Sequence, residues 1–325
     1  MLLLLRRDDD VPERGDPLMR AVCIACLFVA CGAGTSVNPN LPTVEELAAK
    51  WTVVAAPLGD YFAIHGSAAD NIYIVGRGGR ILHYDGQELS EVTSPTTEHL
   101  FSVFVVSPTR AFACGNHGTV IAWDGETWSV DGTGTSEELR GIWADATSAL
   151  AVGANATAIA RGGGVWQPVP TNSPDDLFAI VRSGNNTFAV GTLGTIATYN
   201  GTSFTRQALA GFPKTLVAAH AGPGGTFIGG VDGAVFDRGR GNARIAGIQS
   251  SFVRSISAPG GAMYVVGWDG LLARVGGATS LLHYPDAGKT WLYGVWASDP
   301  TDVWVVGADG MILRGPPLVD PVVAR

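Results

Sequence analysis

Charged residues are scarce in this sequence, and several functional classes are disfavoured by what is missing. Of the 325 residues 15% are charged, the formal net charge is −8, and no long run of Lys and Arg occurs. Charge-driven binding to nucleic acid or to an anionic membrane surface is therefore not expected. The apolar run Ala21–Ala30 has ten residues, which is about half of what a membrane-spanning helix requires.

Patterns that hold metals, phosphates or catalytic groups are also missing. The six histidines show no zinc-type His-x-x-x-His spacing, and the chain has neither a calcium loop nor a Gly-x-x-x-x-Gly-Lys phosphate loop. Of the four cysteines only Cys114 lies outside the N-terminal region, so a disulfide within the body of the chain is impossible. We therefore expect no cofactor, no metal and no enzymatic activity.

The N-terminal segment has the features of an export signal. Arg20 precedes the apolar run Ala21–Ala30, and small residues follow that run, as in a signal peptide. We expect the signal over residues 1–30. Translation from Met19 instead of Met1 would give a signal of regular length.

A cysteine follows the apolar run directly. The segment "FVACGAG" (28–34) resembles a bacterial lipobox, which implies a lipid on Cys31 and contact with a membrane through that lipid alone. Ordinary cleavage without a lipid is the alternative. The polar residues 31–50 then form a tether. The expected location is the outer membrane or a periplasm-facing surface, or else the exterior of the cell.

A Gly-x-x-Gly segment between two apolar runs recurs along the whole body of the chain. The first glycines lie 37 to 40 residues apart, and in the third copy Ala156 replaces the second glycine. These first glycines are Gly76, Gly115, Gly153, Gly191, Gly230, Gly267 and Gly307. Seven copies at a near-constant period indicate a repeat architecture.

Each repeat has the pattern of a four-stranded antiparallel unit. A short apolar strand comes first and two strands flank the Gly-x-x-Gly turn. In several copies an Asp-Gly or Asn-Gly turn then leads to a fourth strand, whereas the fifth and sixth copies have no clear Asp-Gly-x-x-Trp pattern. Cys114 occupies the strand position that valine holds in most copies, and we expect it to be buried rather than nucleophilic. Seven such units predict an all-β, seven-bladed β-propeller.

The two ends of the repeat region complement each other. The last copy ends near "MILRGPP" (311–317) without a fourth strand, whereas Trp51–Ala56 resembles the fourth strands of other copies. We predict that this segment completes the last blade and closes the ring, which removes exposed strand edges. The propeller then spans residues 51–316, and residues 317–325 form a C-terminal tail.

With these features the repeats resemble bacterial secreted β-propeller repeats of the WD-, YVTN- and BNR-like kind. The segment "GVWASDPTDVWVVGADGMILR" (294–314) is the most typical copy. The resemblance implies a seven-bladed propeller of lipoprotein type. It does not imply one activity, because this fold hosts many.

One segment is similar to a motif of carbohydrate-active propellers. "DAGKTW" (286–291) matches the Asp-box turn of sialidases, where it stabilises a hairpin and does not form the active site. The arginines of this chain are scattered and show no carboxylate-binding triad. A carbohydrate-binding or sialidase-like function is therefore kept only as the alternative.

Polar and aromatic variation within the repeat points to one end of the central channel. The second position of the first strands and the interior of the Gly-x-x-Gly turns are predicted to meet there. A binding face would consist of Phe62, Phe101, Arg140, Phe178, Arg254, Tyr293, His117, Asp232, Asp269 and Asp309. The alternative is that the aromatic residues pack between blades and the aspartates favour the turn. We expect a non-catalytic protein-binding or assembly scaffold whose partner is an envelope or extracellular protein, with a glycan as the other possibility.

Overall fold

The computed structural model describes residues 51–245, 248, 250, 252–260, 262–275, 280–283 and 290–315. The predicted signal peptide, Cys31, the tether and the C-terminal tail lie outside these residues, and so do residues 286–289 of the Asp-box segment. Among the described residues, no helix is long and apolar enough to cross a membrane.

The described residues form 28 strands. They are β1 Thr52–Val53, β2 Tyr61–Ala68, β3 Asn71–Gly76, β4 Ile81–Tyr84, β5 Leu89–Val92, β6 Leu100–Ser107, β7 Arg110–Gly115, β8 Val120–Trp123, β9 Trp128–Val130, β10 Leu139–Ala144, β11 Ala149–Gly153, β12 Ala158–Gly162, β13 Val165–Pro168, β14 Leu177–Ser183, β15 Asn186–Gly191, β16 Thr195–Tyr199, β17 Phe204–Ala208, β18 Leu216–Gly222, β19 Gly225–Gly230, β20 Val235–Asp237, β21 Ala243–Arg244, β22 Val253–Ser257, β23 Met263–Gly267, β24 Leu271–Val275, β25 Ser280–His283, β26 Leu292–Asp299, β27 Asp302–Gly307 and β28 Ile312–Gly315.

Short 3-10 turns join several of these strands. They span Arg77–Gly79, Asn116–Gly118, Thr192–Gly194, Arg238–Arg240, Trp268–Gly270 and Ala308–Gly310.

The strands are arranged as seven four-stranded antiparallel sheets, which we number blades 1 to 7 from β2 onward. The first strand of each blade packs against the first strand of the next blade, and β26 of blade 7 packs against β2 of blade 1. The ring is therefore continuous, with β2, β6, β10, β14, β18, β22 and β26 innermost. The predicted all-β, seven-bladed propeller is confirmed.

Blade 7 takes its outermost strand from the N-terminal side of the propeller. β1 pairs with β28 in antiparallel register, Thr52 opposite Arg314 and Val53 opposite Leu313. The Val54 N–H continues this pairing by donating to the Ile312 carbonyl at 2.9 Å. The two ends of the repeat region thus share one sheet.

The first glycine of each Gly-x-x-Gly turn allows a close backbone contact. A Cβ atom on Gly115 would lie 1.7 Å from the His99 carbonyl oxygen, and the next residue, Asn116, donates its N–H to that same oxygen at 3.0 Å. Equivalent contacts occur in the other six turns. The turns are therefore held against the starts of the innermost strands, and we call this end of the channel the mouth.

Apolar side chains fill the spaces between blades. Trp128, Trp166 and Phe204, near the start of the fourth strand in blades 2 to 4, are each at most 6% exposed. Cys114 is fully buried in the core between blades 2 and 3, and burial raises the pKa of its thiol. The expectation that Cys114 is a buried strand residue is confirmed.

Candidate functional site: the channel mouth

The propeller encloses a channel of about 400 Å³ that is lined by residues from all seven innermost strands. The third position of these strands is small in every blade, which lets neighbouring innermost strands approach closely; a Cβ atom on Gly141, for example, would lie 3.0 Å from the Ala179 Cα atom. The third-position residues are Ala63, Ser102, Gly141, Ala179, Ala218, Ser255 and Gly294. No group of three metal-ligating side chains is found among the described residues.

The second position of the innermost strands carries most of the predicted aromatic residues. The Phe62 ring lies 5.5 Å from the rings of both Phe101 and Tyr293, measured between centroids. Phe62, Phe101 and Phe178 are only 6–9% exposed. These phenylalanines therefore pack mainly between neighbouring blades and form the wall of the mouth rather than an open surface.

The two predicted arginines interrupt this apolar wall. The Arg140 guanidinium lies over the Phe178 ring, 5.0 Å from its centroid, and forms an ion pair with Glu138 just before the strand. Arg254 occupies the equivalent place in blade 6 and also lines the channel. The sequence pattern did not resolve the fifth blade, where the structure places Val217 against Phe178.

The predicted turn residues surround the mouth and are exposed. His117, Asp232, Asp269 and Asp309 all have left-handed backbone conformations, with φ between 50° and 58°. His117 contacts Glu98 at 2.9 Å, and Asp232 forms an ion pair with Lys214. Asp tolerates positive φ better than most residues. The three aspartates thus occupy turn positions that favour Asp for conformational reasons.

A row of stacked rings lies beside the mouth, and sequence reasoning missed it. The Phe252 and Trp268 rings are 4.4 Å apart and nearly parallel, at 12°, and the Trp268 and Trp291 rings are 5.2 Å apart at 16°. We call these three residues the aromatic stack. Tyr293 meets Trp291 edge-on at 6.4 Å and links the stack to Phe62. Trp291 is 36% exposed.

Two histidines line the far half of the channel, and they too were not predicted. The Val105 N–H donates to Nδ1 of His65 at 3.1 Å, and the Ala258 N–H donates to Nε2 of His220 at 3.1 Å. Burial, and secondarily the charge of His220, lowers the pKa of His65 to about 4. Burial likewise lowers the pKa of His220 to about 4.

These histidines have a structural use as neutral acceptors. An innermost strand has no neighbouring strand on the channel side, so some of its N–H groups need another partner. His65 satisfies such a group in blade 2 and His220 does so in blade 6. Both rings are thereby occupied by the backbone and are not arranged as a catalytic acid and base.

Solved structures with the same architecture are numerous. A structure described as "YCF48 bound to D1 peptide" superposes with a TM-score of 0.66, 16% identity, and coverage of 82% of this chain and 95% of that chain. YCF48 from Cyanidioschyzon merolae superposes with a TM-score of 0.63 and 14% identity, over 82% of this chain and 98% of that chain. The WD40 repeats of RRP9 superpose with a TM-score of 0.66 and 10% identity, over 82% of this chain and 97% of that chain. These likenesses establish the fold alone.

Similarity in sequence to known proteins covers a smaller part of the chain than similarity in structure. No protein-family model matches the chain. The immune protein Tsi7 of Pseudomonas aeruginosa is 31% identical over 129 residues, which are 38% of this chain. The chain spans 41% of the length of that curated relative. Tsi7 is thus a partial relative.

Proposed function

We propose that this chain is an exported, lipid-anchored propeller that holds a protein partner at its channel mouth and catalyses no reaction. The aromatic line around the mouth carries this proposal. It runs from Phe101 through Phe62, Tyr293 and Trp291 to Trp268, and Arg140 lies in blade 3, which packs against the blade of Phe101. Aromatic residues and arginine are enriched where proteins bind partners.

The titratable groups of the channel support a binding role over a catalytic one. His65 and His220 accept backbone N–H groups, and Arg140 is paired with Glu138. A general acid and base would need to meet a common substrate position, and these groups are engaged in holding the wall together. The neighbour described as bound to the D1 peptide supports the same class of function.

Affinity capture tests the proposal. The full chain is immobilised and exposed to an envelope extract of its host, in parallel with an Arg140→Ala variant. We expect a retained protein to bind directly to the purified chain and to be weakened roughly tenfold or more by Arg140→Ala, because central arginines are frequent binding hot spots.

A matched control separates the mouth from the general charge of the surface. Arg240 is exposed in the turn between β20 and β21, at the channel end opposite the mouth, and contacts only Asp237 at 3.5 Å among the described ion pairs. Arg240→Ala should leave capture unchanged. Equal effects of the two substitutions would contradict the assignment of the mouth as the binding site.

The exposed indole of Trp291 favours a second candidate, which is glycan binding, because sugars pack on aromatic faces. The same purified chain applied to a glycan array tests it. Glycan binding without any protein partner would replace the first proposal.

A further inference from the structure

The wall of the channel carries charge of one sign. The described residues that line it include Arg140, Arg182 and Arg254, and none of these lining residues is Asp or Glu. Arg140 is paired with Glu138. Arg182 is paired with Asp145 at 3.3 Å. Both carboxylates lie outside the lining, so the channel faces the positive side of each pair. In a chain with a formal net charge of −8, this wall therefore attracts anions rather than cations.

The two channel histidines each carry a ring N–H besides the nitrogen that the backbone uses. Nδ1 of His65 accepts from the Val105 N–H at 3.1 Å, so the proton of the neutral ring is on Nε2. Nε2 of His220 accepts from the Ala258 N–H at 3.1 Å, so its proton is on Nδ1. Both rings are neutral at neutral pH because their pKa is about 4. The backbone therefore fixes two N–H donors in rings that line the channel.

Aromatic rings beside the histidines form the wall of the same half of the channel. The fifth position of the innermost strands holds His65, Phe104, Trp143 and Trp296 in blades 1, 2, 3 and 7. The His65 ring is stacked on Phe104 at 4.4 Å, and the Phe104 and Trp143 rings are 6.2 Å apart. The Arg182 guanidinium covers the Trp143 ring, 5.2 Å from its centroid. Such a wall suits a ligand with a flat apolar body.

We propose that the far half of the channel binds a small organic carboxylate with a flat apolar body, such as an aromatic acid. The carboxylate accepts the N–H groups at Nε2 of His65 and Nδ1 of His220, and the apolar body packs among Phe104, Trp143 and Trp296. The channel volume of about 400 Å³ is within the range of small-molecule sites. Hydrogen bonds to an ionised acceptor are stronger than neutral ones, which offsets the cost of burying the anion. This inference goes beyond the proposed function and does not depend on a protein partner at the mouth.

Titration calorimetry with matched ligands tests the inference. Benzoate, phenylacetate and naphthoate are each titrated into the full chain, beside the primary amide of the same acid, which keeps the shape of the ligand but removes its charge. We expect at least one carboxylate to bind, and its amide to bind roughly tenfold or more weakly. Absence of binding by all of these acids, or equal binding of acids and amides, would overturn the inference.

Variants locate the ligand in the far half of the channel. The His65→Asn, His220→Gln double variant keeps acceptor atoms for the two backbone N–H groups but lacks the N–H groups at Nε2 and Nδ1. It should weaken binding of the carboxylate roughly tenfold or more. Arg240→Ala is the matched control, since Arg240 is exposed and does not line the channel. Its dissociation constant should equal that of the wild type.

Arg182→Gln provides a second variant, and it should fold because the Arg182 side chain is 40% exposed. It removes a positive charge from the far opening and should weaken the carboxylate several-fold, with little effect on the amide. If neither variant weakens the carboxylate, or if Arg140→Ala weakens it more strongly than both, the assignment to the far half is wrong.

A last arm separates a free ligand from a segment of a partner. Acidic peptides are titrated into the same chain. Binding of a peptide without binding of any free acid would assign the channel to a partner segment, and the small-ligand site would be refuted. None of these results decides whether a protein binds at the mouth, which the capture experiment with Arg140→Ala decides by itself.

Discussion

Mild acid should destabilise the propeller through His65 and His220. Both side chains have a pKa of about 4 in the folded protein, against an ordinary value of 6.5. The unfolded chain therefore binds more protons than the folded one between about pH 6.5 and pH 4. The stabilisation from the neutral rings is present above about pH 6.5. It is lost as the pH falls toward and through about 4, the pKa of both rings in the folded protein.

The expected loss of folding stability on acidification is large compared with the total stability of a typical protein. For one group with these two pKa values, the free energy of unfolding at about pH 5 is lower than at about pH 7.5 by about 2 kcal/mol. Because the charge of His220 contributes to the lowered pKa of His65, the two losses are not simply added, and together they give about 2–4 kcal/mol. This is a sizeable part of a typical total stability of about 5–15 kcal/mol.

Urea unfolding at several pH values measures this effect, followed by tryptophan fluorescence. Carboxylates also titrate in this range, so the informative quantity is the difference between the wild type and a His65→Asn, His220→Gln double variant. The Asn Oδ1 atom can take the place of Nδ1 of His65 and the Gln Oε1 atom that of Nε2 of His220 as acceptors, and neither side chain titrates. The double variant should lose about 2–4 kcal/mol less than the wild type between pH 7.5 and pH 5.

A variant that removes no titrating group serves as a reference. Gly132 has open space around it, and Gly132→Ala should follow the wild-type pH dependence. If the double variant and the wild type lose the same free energy on acidification, the two buried rings do not control acid stability and the reasoning fails.

Two further predictions concern the repeat turn and the N-terminal cysteine. Gly115→Ala should lower the free energy of unfolding by more than about 2 kcal/mol, because the new methyl group would lie 1.7 Å from the His99 carbonyl oxygen. Gly132 has open space around it, so Gly132→Ala should change the free energy of unfolding by less than about 0.5 kcal/mol. Urea unfolding of both variants checks this, and similar stabilities would contradict the close-contact role of Gly115. Cys31→Ala should move the chain from the membrane fraction to the soluble fraction of a bacterial host, because the lipid would be lost. Cys114→Ala is the control and should leave the fractionation unchanged. If the Cys31 variant also stays in the membrane fraction, the lipid anchor is wrong.

The architecture could be predicted because the repeat encodes it several times over. The first glycine of each turn is required by a backbone contact that recurs in every blade, so its spacing reports the blade period directly. The fourth strand of blade 7 was predictable for a related reason, since Trp51–Ala56 resembles strands elsewhere in the chain. β18, with its small residues, lacks the aromatic and branched pattern of the other first strands and was not recognised.

The aromatic stack could not be predicted in the same way. Phe252 and Trp291 precede innermost strands and Trp268 lies in a turn, so they occupy two different repeat positions. Their rings meet because two hydrogen bonds of the blade 6 turn bring it to two strand starts: Trp268 N–H donates to the Phe252 carbonyl, and Gly270 N–H donates to the carbonyl of Thr290, next to Trp291. When a sequence is read as repeats, each repeat position is compared with the same position in the other repeats. Such a comparison does not detect a contact between a turn residue and a residue at the start of a strand.

The direction of the two outer strands of blade 7 determines at which end of the propeller the chain joins it. β28 runs away from the mouth and β1 pairs with it in antiparallel register, so the chain both enters and leaves the propeller at the end opposite the mouth. A lipid on Cys31 would be connected to that end by 20 residues, whose fully extended length is at most about 70 Å. A partner bound at the mouth would therefore not meet the strands through which the chain joins the propeller.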